Sequence, residues 1–283
     1  MYAQYWGLAE TPFKNTLDAR WFFESPWHEE ALARLLFLIE QRRRCGVLSG
    51  PAGTGKSLVL EVLRREAARG AGQAALVDLF GQSGREMLWE TLAALGLAPA
   101  ADDSPHRLWR KLSDRVSANR FVRSPLVLVL DHLDRAHIDC LETVERLQHM
   151  ASAGDTGLTL VLGVRSERVS GLAQSLREIS DLRIELPAFD REQSQQYVEA
   201  LLARAGADRP LFEPEAFTRL FNETRGIPRE LNRLCDLALL AGMADRAQRI
   251  DESIVAAVAE ELRASFDRDQ PLLHFRERFA VEM

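Results

Sequence analysis

Lysine is almost absent from this chain of 283 residues: Lys14, Lys56 and Lys111 are the whole supply, and arginine provides the other 33 of the 36 basic side chains. Codon bias in a GC-rich genome is the expected explanation of that excess, so a lone arginine carries little information here, while a lysine at a demanding position carries more. Cysteine is also scarce. Cys45, Cys140 and Cys235 stand far apart without paired spacing, which argues against a disulfide framework or a zinc site and leaves them as small apolar residues for a core. No apolar run approaches the roughly 18 residues that a membrane span needs, and residues 1–25 lack the basic start and apolar core of a secretory leader. The expectation is a soluble, cytoplasmic protein with no membrane span. Excess positive charge is missing as well: a net charge of -6 argues against a protein that coats nucleic acid electrostatically. With 46% hydrophobic and 28% charged residues, neither a disordered nor a collagen-like chain fits.

What is present is an alternation. Five short segments rich in Val, Leu and Ile, namely Cys45–Leu48, Ala74–Phe80, Leu126–Leu130, Leu158–Val164 and Leu182–Leu186, have the near-continuous apolar character of strands covered on both faces of a parallel sheet. Between them, Ser57–Ala68, Arg85–Leu95, Leu108–Ser117 and Leu141–Met150 repeat apolar residues at three- and four-residue intervals and read as crossover helices. The result is an α/β sandwich over about residues 40–188. After Pro187 only helices are predicted: Arg191–Ala205 behind an Asp190 cap with Gln193 three residues on, Glu213–Asn222 with Pro214 in its first turn, Arg229–Leu240 behind Pro228, and Glu252–Arg263 behind Asp251. The expected division is a core over 1–188, a helical domain over 189–263, and a tail over 264–283 without clear periodicity.

The strongest local signal is Gly50-Pro51-Ala52-Gly53-Thr54-Gly55-Lys56-Ser57, a complete Walker A loop between the first strand and the first crossover helix. Its glycines let successive N–H groups turn toward phosphate oxygens, and the helix that begins there adds partial positive charge. Lys56 reaches for the β- and γ-phosphates, Ser57 is the candidate Mg2+ ligand, and Leu58 follows in the same turn. Leu126-Val127-Leu128-Val129-Leu130-Asp131 is the matching Walker B strand, with Asp131 as the second metal-site residue. One strand intervenes between the motifs, which predicts the P-loop NTPase branch with an additional strand (ASCE), a three-layer sandwich with parallel sheet order 5-1-4-3-2. ATP and Mg2+ are the expected ligands.

The next positions depart from the usual pattern. Where a glutamate normally activates the attacking water, this chain has His132, whose imidazole can accept a proton near neutral pH, and Asp134 is the other carboxylate within reach. At the end of the fourth strand, Arg165 or Ser166 can sense the γ-phosphate. Arg229, in the first turn of a later helix, can fold back over the phosphates. Arg177 and Arg183 are weak candidates for a finger toward a neighbouring subunit.

Two further patterns carry a resemblance. The opening Met1-Tyr2 with Tyr5-Trp6-Gly7-Leu8, Glu10 and Pro12-Phe13, then Ser25-Pro26, His28 and Glu30-Ala31-Leu32, and later Gly226-Ile227-Pro228-Arg229 with Asn232, Cys235 and Asp236 before Ala241, resemble the general secretion pathway protein A family of ExeA-type AAA+ ATPases over about residues 1–263. The resemblance implies an AAA+ module in which the N-terminal residues and Ser25–Leu32 clasp adenine, Lys56 and Ser57 serve Walker A, Asp131 serves Walker B, and a helical lid carries Arg229 as its sensor. Arg165 stands where that family commonly has glutamine, and His132 where it has glutamate. Family members continue past the lid into a membrane span and a peptidoglycan-binding region, neither of which is read in these residues, so a cell-wall role is not inherited.

Three functions compete. One is an ATPase that couples Mg-ATP hydrolysis to lid movement and to assembly with itself or a protein partner. A second is a DNA-transaction ATPase of the transposition-helper or replication-initiator type, and a third is a slowly hydrolysing nucleotide switch. DNA is the less favoured partner, because the last predicted helix sets Glu252, Glu260 and Glu261 against Arg263 alone.

Overall fold

Leu126, Leu128 and Leu130 face one side of their strand, Val127 and Val129 face the other, and all five are buried. Such a strand must lie inside a sheet with a hydrophobic layer on each face. The computed structural model of the chain describes residues 2–69, 72–152, 157–168 and 180–268, and among them five strands form one parallel sheet: β1 Cys45–Ser49, β2 Gln73–Asp78, β3 Leu126–Asp131, β4 Leu158–Gly163 and β5 Leu182–Glu185, in the order β2-β3-β4-β1-β5. This is the expected order read from the other edge. β3 and β4 are buried throughout, whereas the edge strands β2 and β5 are only partly covered.

Helices Pro26–Glu40 and Lys56–Arg69 cover one face, placing Leu35, Leu38, Val59, Leu60 and Leu63 against Val127, Val129, Val161 and Ile184. Helices Gly84–Ala94, Pro105–Phe121 and Ile138–Ser152 cover the other, with Met87, Leu92, Leu112, Val144 and Leu147 against the leucines of β3 and β4. Burying one such leucine stabilises the fold by about 1.5–3 kcal/mol. Helix starts follow local chemistry. Ser83 and Glu86 form a capping box, and Ser104 caps the helix opened by Pro105. β2 ends at Asp78, short of the expected Phe80, because its partner β3 ends opposite at Asp131.

The sandwich belongs to a unit spanning Leu17–Pro187, and a second unit combines Met1–Thr16 with Ala188–Met283. In that second unit the helices are Arg191–Arg204, Pro214–Thr224, Pro228–Ala244 and Glu252–Arg268. The last runs beyond the expected end at Arg263, and residues 269–283 of the expected tail lie outside the described residues. Residues 2–15, which the sequence division grouped with the core, are bound into this helical unit by specific contacts. Trp6 is buried and its indole N–H donates to Leu239 O at 2.9 Å, Ala9 N–H donates to Ala205 O at 2.8 Å, and the Tyr2 hydroxyl donates to Asp236. Asn232 donates to Asn15 Oδ1 at 3.1 Å and accepts from the Tyr197 hydroxyl at 2.9 Å. No helix among the described residues is long and apolar enough to cross a membrane.

Candidate functional site

The loop of residues 50–55 leaves the end of β1 and delivers the chain into helix Lys56–Arg69. Neighbouring segments grip its base, since Ser166 N–H donates to Gly50 O at 3.0 Å and Leu186 N–H donates to Ser49 O at 2.8 Å. The loop also closes on itself: the buried Thr54 hydroxyl donates to Pro51 O at 3.0 Å. Lys56 is the first helical residue and only 8% exposed, and its ammonium donates to Gly50 O at 2.8 Å and Pro51 O at 2.7 Å. Burial pulls its pKa below the usual lysine value, against the opposing pull of Asp131, Glu167 and Asp134. A cation folded across a loop at a helix N-terminus is a receptor for phosphate oxygens.

One observation tests that fit within the chain itself. A carboxylate oxygen of Glu167 accepts the Ala52 N–H at 3.3 Å, so an anionic oxygen already rests on a loop amide. For the metal, Ser57 in the first helical turn and the buried Asp131 at the end of β3 are the available oxygen donors. Among the described residues no cluster of three His, Cys, Asp or Glu side chains forms a metal cage. A hydroxyl and one carboxylate suit a hard cation that takes its remaining ligands from phosphate and water, as Mg2+ does. Gly163, at the end of β4, makes room for Asp131, because a Cβ there would collide with Asp131 Oδ1.

His132 takes a left-handed conformation, with φ 56°, and its N–H donates to Asp131 Oδ1 at 2.8 Å. Its ring Nδ1 lies 2.8 Å from Asp78 Oδ1, the acid at the end of β2. A carboxylate only accepts, so Nδ1 carries the hydrogen, and in the neutral ring Nε2 is the atom with the lone pair. Asp134 has a different situation: its side chain is fully buried, its Oδ1 accepts the Arg165 N–H at 3.1 Å, and its Oδ2 lies 3.9 Å from Arg165 Nε without a hydrogen bond. Arg165 therefore sits over Asp134, and both act electrostatically on Lys56 together with Asp131 and Glu167. Pro51, Ala52, Gly53, Ser57 and Leu58 are half-buried around the loop.

Arg229 stands exposed in the first turn of helix Pro228–Ala244, in the helical unit. Arg183 lies on β5 and its Nε donates to Ser180 Oγ at 2.9 Å. Arg177 lies outside the described residues. Two site residues escaped the sequence reading. Asp78 had a signal, an acid closing an apolar strand next to Walker B, but Glu167 had none beyond following Arg165-Ser166.

Comparison with known proteins adds relatives. A family model described as an AAA domain matches residues 39–168. General secretion pathway protein A of Aeromonas hydrophila is 27% identical over 266 residues, which are 93% of this chain and 48% of that protein. The chain thus spans about half the length of that relative. Among solved structures, the Aeropyrum pernix ORC1 protein in complex with DNA superposes with a TM-score of 0.67 at 17% identity, covering 89% of this chain and 68% of that one. Cdc6p from Pyrobaculum aerophilum gives a TM-score of 0.67 at 18% identity, covering 84% and 67% respectively. At such identities these structures establish the fold, that of the P-loop AAA+ ATPases, and no function.

Proposed function

We propose that this chain, related in sequence to general secretion pathway protein A and matching an AAA domain over residues 39–168, is an AAA-type ATPase that hydrolyses Mg-ATP and uses the cycle to move its helical unit and to assemble with itself or remodel a protein partner. The observation that carries this reading is the loop at a helix N-terminus with the Lys56 ammonium folded across it and the Glu167 carboxylate on its Ala52 N–H. Lys56 exchanges its contacts to Gly50 O and Pro51 O for phosphate oxygens. Ser57 and Asp131 would hold the metal, which would supply neutralisation of phosphate charge. His132, held by Asp78, receives a proton at Nε2 from the water that attacks the γ-phosphorus, and the bond from that phosphorus to the β,γ-bridging oxygen breaks. Asp134 supports Arg165 from below and is too deeply buried to meet that water.

Ser25–Leu32 and the N-terminal residues form the adenine clasp of this reading, and Arg229 is the contact that distinguishes a phosphate-bound lid position from others. A ligand shifts such an equilibrium only through contacts that differ between states. The three buried free thiols support a reducing, cytoplasmic location, where ATP is also supplied. The DNA-transaction reading rests on a fold likeness alone.

ATP turnover by the purified protein beside Lys56→Ala, His132→Ala and Asp134→Asn tests the proposal. We expect no turnover from Lys56→Ala; turnover undiminished by that change sinks the enzyme reading. A dead Asp134→Asn beside a fully active His132→Ala reassigns the base. Gel filtration with and without ATP tests self-assembly, and DNA binding that weakens steeply with salt would favour the competing function.

A further inference from the structure

Behind the phosphate loop stands a histidine that the catalytic scheme does not use. His28 occupies the first turn of helix Pro26–Glu40, is 5% exposed, and has both ring nitrogens engaged: Nδ1 lies 2.7 Å from Ser25 Oγ, and Nε2 lies 3.1 Å from the carbonyl oxygen of Thr54. The roles of these atoms follow from their chemistry. A carbonyl oxygen accepts only, so Nε2 carries the hydrogen. Nδ1 of a neutral ring then holds a lone pair and takes the Ser25 hydroxyl hydrogen. Ser25 Oγ in turn accepts the His28 backbone N–H at 3.3 Å as the helix N-cap. Burial supports the neutral form, pushing the pKa of His28 down to about 4.

The loop is built around this ring. Gly55 has φ 96°, and a Cβ there would lie 2.8 Å from His28 Nε2. The consequence lies in the peptide plane between Thr54 and Gly55. In a trans peptide the C=O and N–H point in opposite directions. Holding Thr54 C=O toward the imidazole therefore turns Gly55 N–H away from it.

We propose that His28 is a positioning residue for the nucleotide site: its Nε2–H, donated to Thr54 O, fixes the 54–55 peptide plane so that Gly55 N–H is preset to bind a phosphate oxygen. This rests on the reading of the loop as an ATP site. It makes the first turn of helix Pro26–Glu40 part of the phosphate machinery, through Ser25 as the cap that orients the ring.

The test is titration of a fluorescent ADP into the full chain in EDTA, for wild type, His28→Ala and His28→Gln, with circular dichroism as the check of folding. His28→Ala should bind about tenfold more weakly, the size of one net hydrogen bond to a fixed acceptor. His28→Gln, whose side-chain N–H can reach the same carbonyl, should recover to within about threefold of wild type. Folded His28→Ala binding as tightly as wild type, or folded His28→Gln binding as weakly as His28→Ala, overturns the proposal. Nitrogen-15 NMR of the nucleotide-free wild type gives an answer even where a variant does not fold. The Nε2–H tautomer supports the brace, and the Nδ1–H tautomer overturns it. A wild type that binds no ADP defeats the ATP reading instead, a result separable from the tautomer.

Discussion

His132 and Asp78 meet at 2.8 Å across the ends of two paired strands, although 54 positions separate them in sequence. The sheet register accounts for the meeting. Asp78 pairs with Asp131 as β2 and β3 end together, and the left-handed turn at His132 brings the next side chain back toward the end of β2. An imidazole whose Nδ1–H is held by a carboxylate has one tautomer and one usable basic nitrogen.

Asp78→Ala should therefore lower kcat by about 10- to 100-fold, a fraction of the total that a general base contributes, and leave nucleotide affinity nearly unchanged. Steady-state turnover beside a nucleotide titration separates the two quantities. Weakened binding with normal turnover would show that Asp78 serves the binding site and not the base.

Glu167 holds an anionic oxygen on Ala52 N–H, where it competes with an arriving phosphate for the same loop. Removing it by Glu167→Ala should tighten ATP binding about threefold, the scale of an exposed charge contact. Isothermal calorimetry reads this directly. Weaker binding would mean that the carboxylate orders the loop instead.

His28 also predicts a dependence of stability on pH. Its folded-state pKa of about 4 lies below the value near 6.5 of a free imidazole, so the folded state favours the neutral ring. The stability that follows is complete above about pH 6.5 and is lost as pH falls through the window down to about 4, a total near 3 kcal/mol. Urea unfolding of wild type and His28→Gln at pH 7 and pH 4.5 should show the variant losing less. Equal losses would place the acid sensitivity elsewhere.

The three cysteines should be silent. All are buried, and burial raises their thiol pKa values, to about 12 for Cys45 and about 11 for Cys140, and well above the usual value for Cys235. Thiol titration with a disulfide reagent should find no fast-reacting group in the native protein and three after unfolding. A rapid native reaction would contradict the burial of at least one.

Much of this was readable in the chain because its signals are local. The strands announce themselves through unbroken apolar runs, and β3 even shows which residues face which layer by simple alternation. The loop from Gly50 to Ser57 is contiguous, so its place between a strand and a helix follows from the order of residues along the chain. Asp78 and Glu167 were harder because their partners are remote: Asp78 finds His132 only through sheet register, and Glu167 finds Ala52 only because β4 lies beside β1. The same distance hid the attachment of Trp6, whose acceptor Leu239 is 233 positions away. Proximity to Asp131 in sequence also says nothing about depth, and the Asp134 side chain is fully buried.

The binding of the first residues into the helical unit has a consequence for synthesis. In chain order the P-loop unit is an insertion, entered after Thr16 and left at Pro187. Domains emerging from the ribosome fold as units, earliest first, so the sandwich can close once residue 187 is out. Trp6 and Tyr2 cannot: their partners Leu239 and Asp236 are made only after residue 187. That segment thus depends on residues made after the nucleotide unit, and its aromatic side chains wait uncovered while that unit forms.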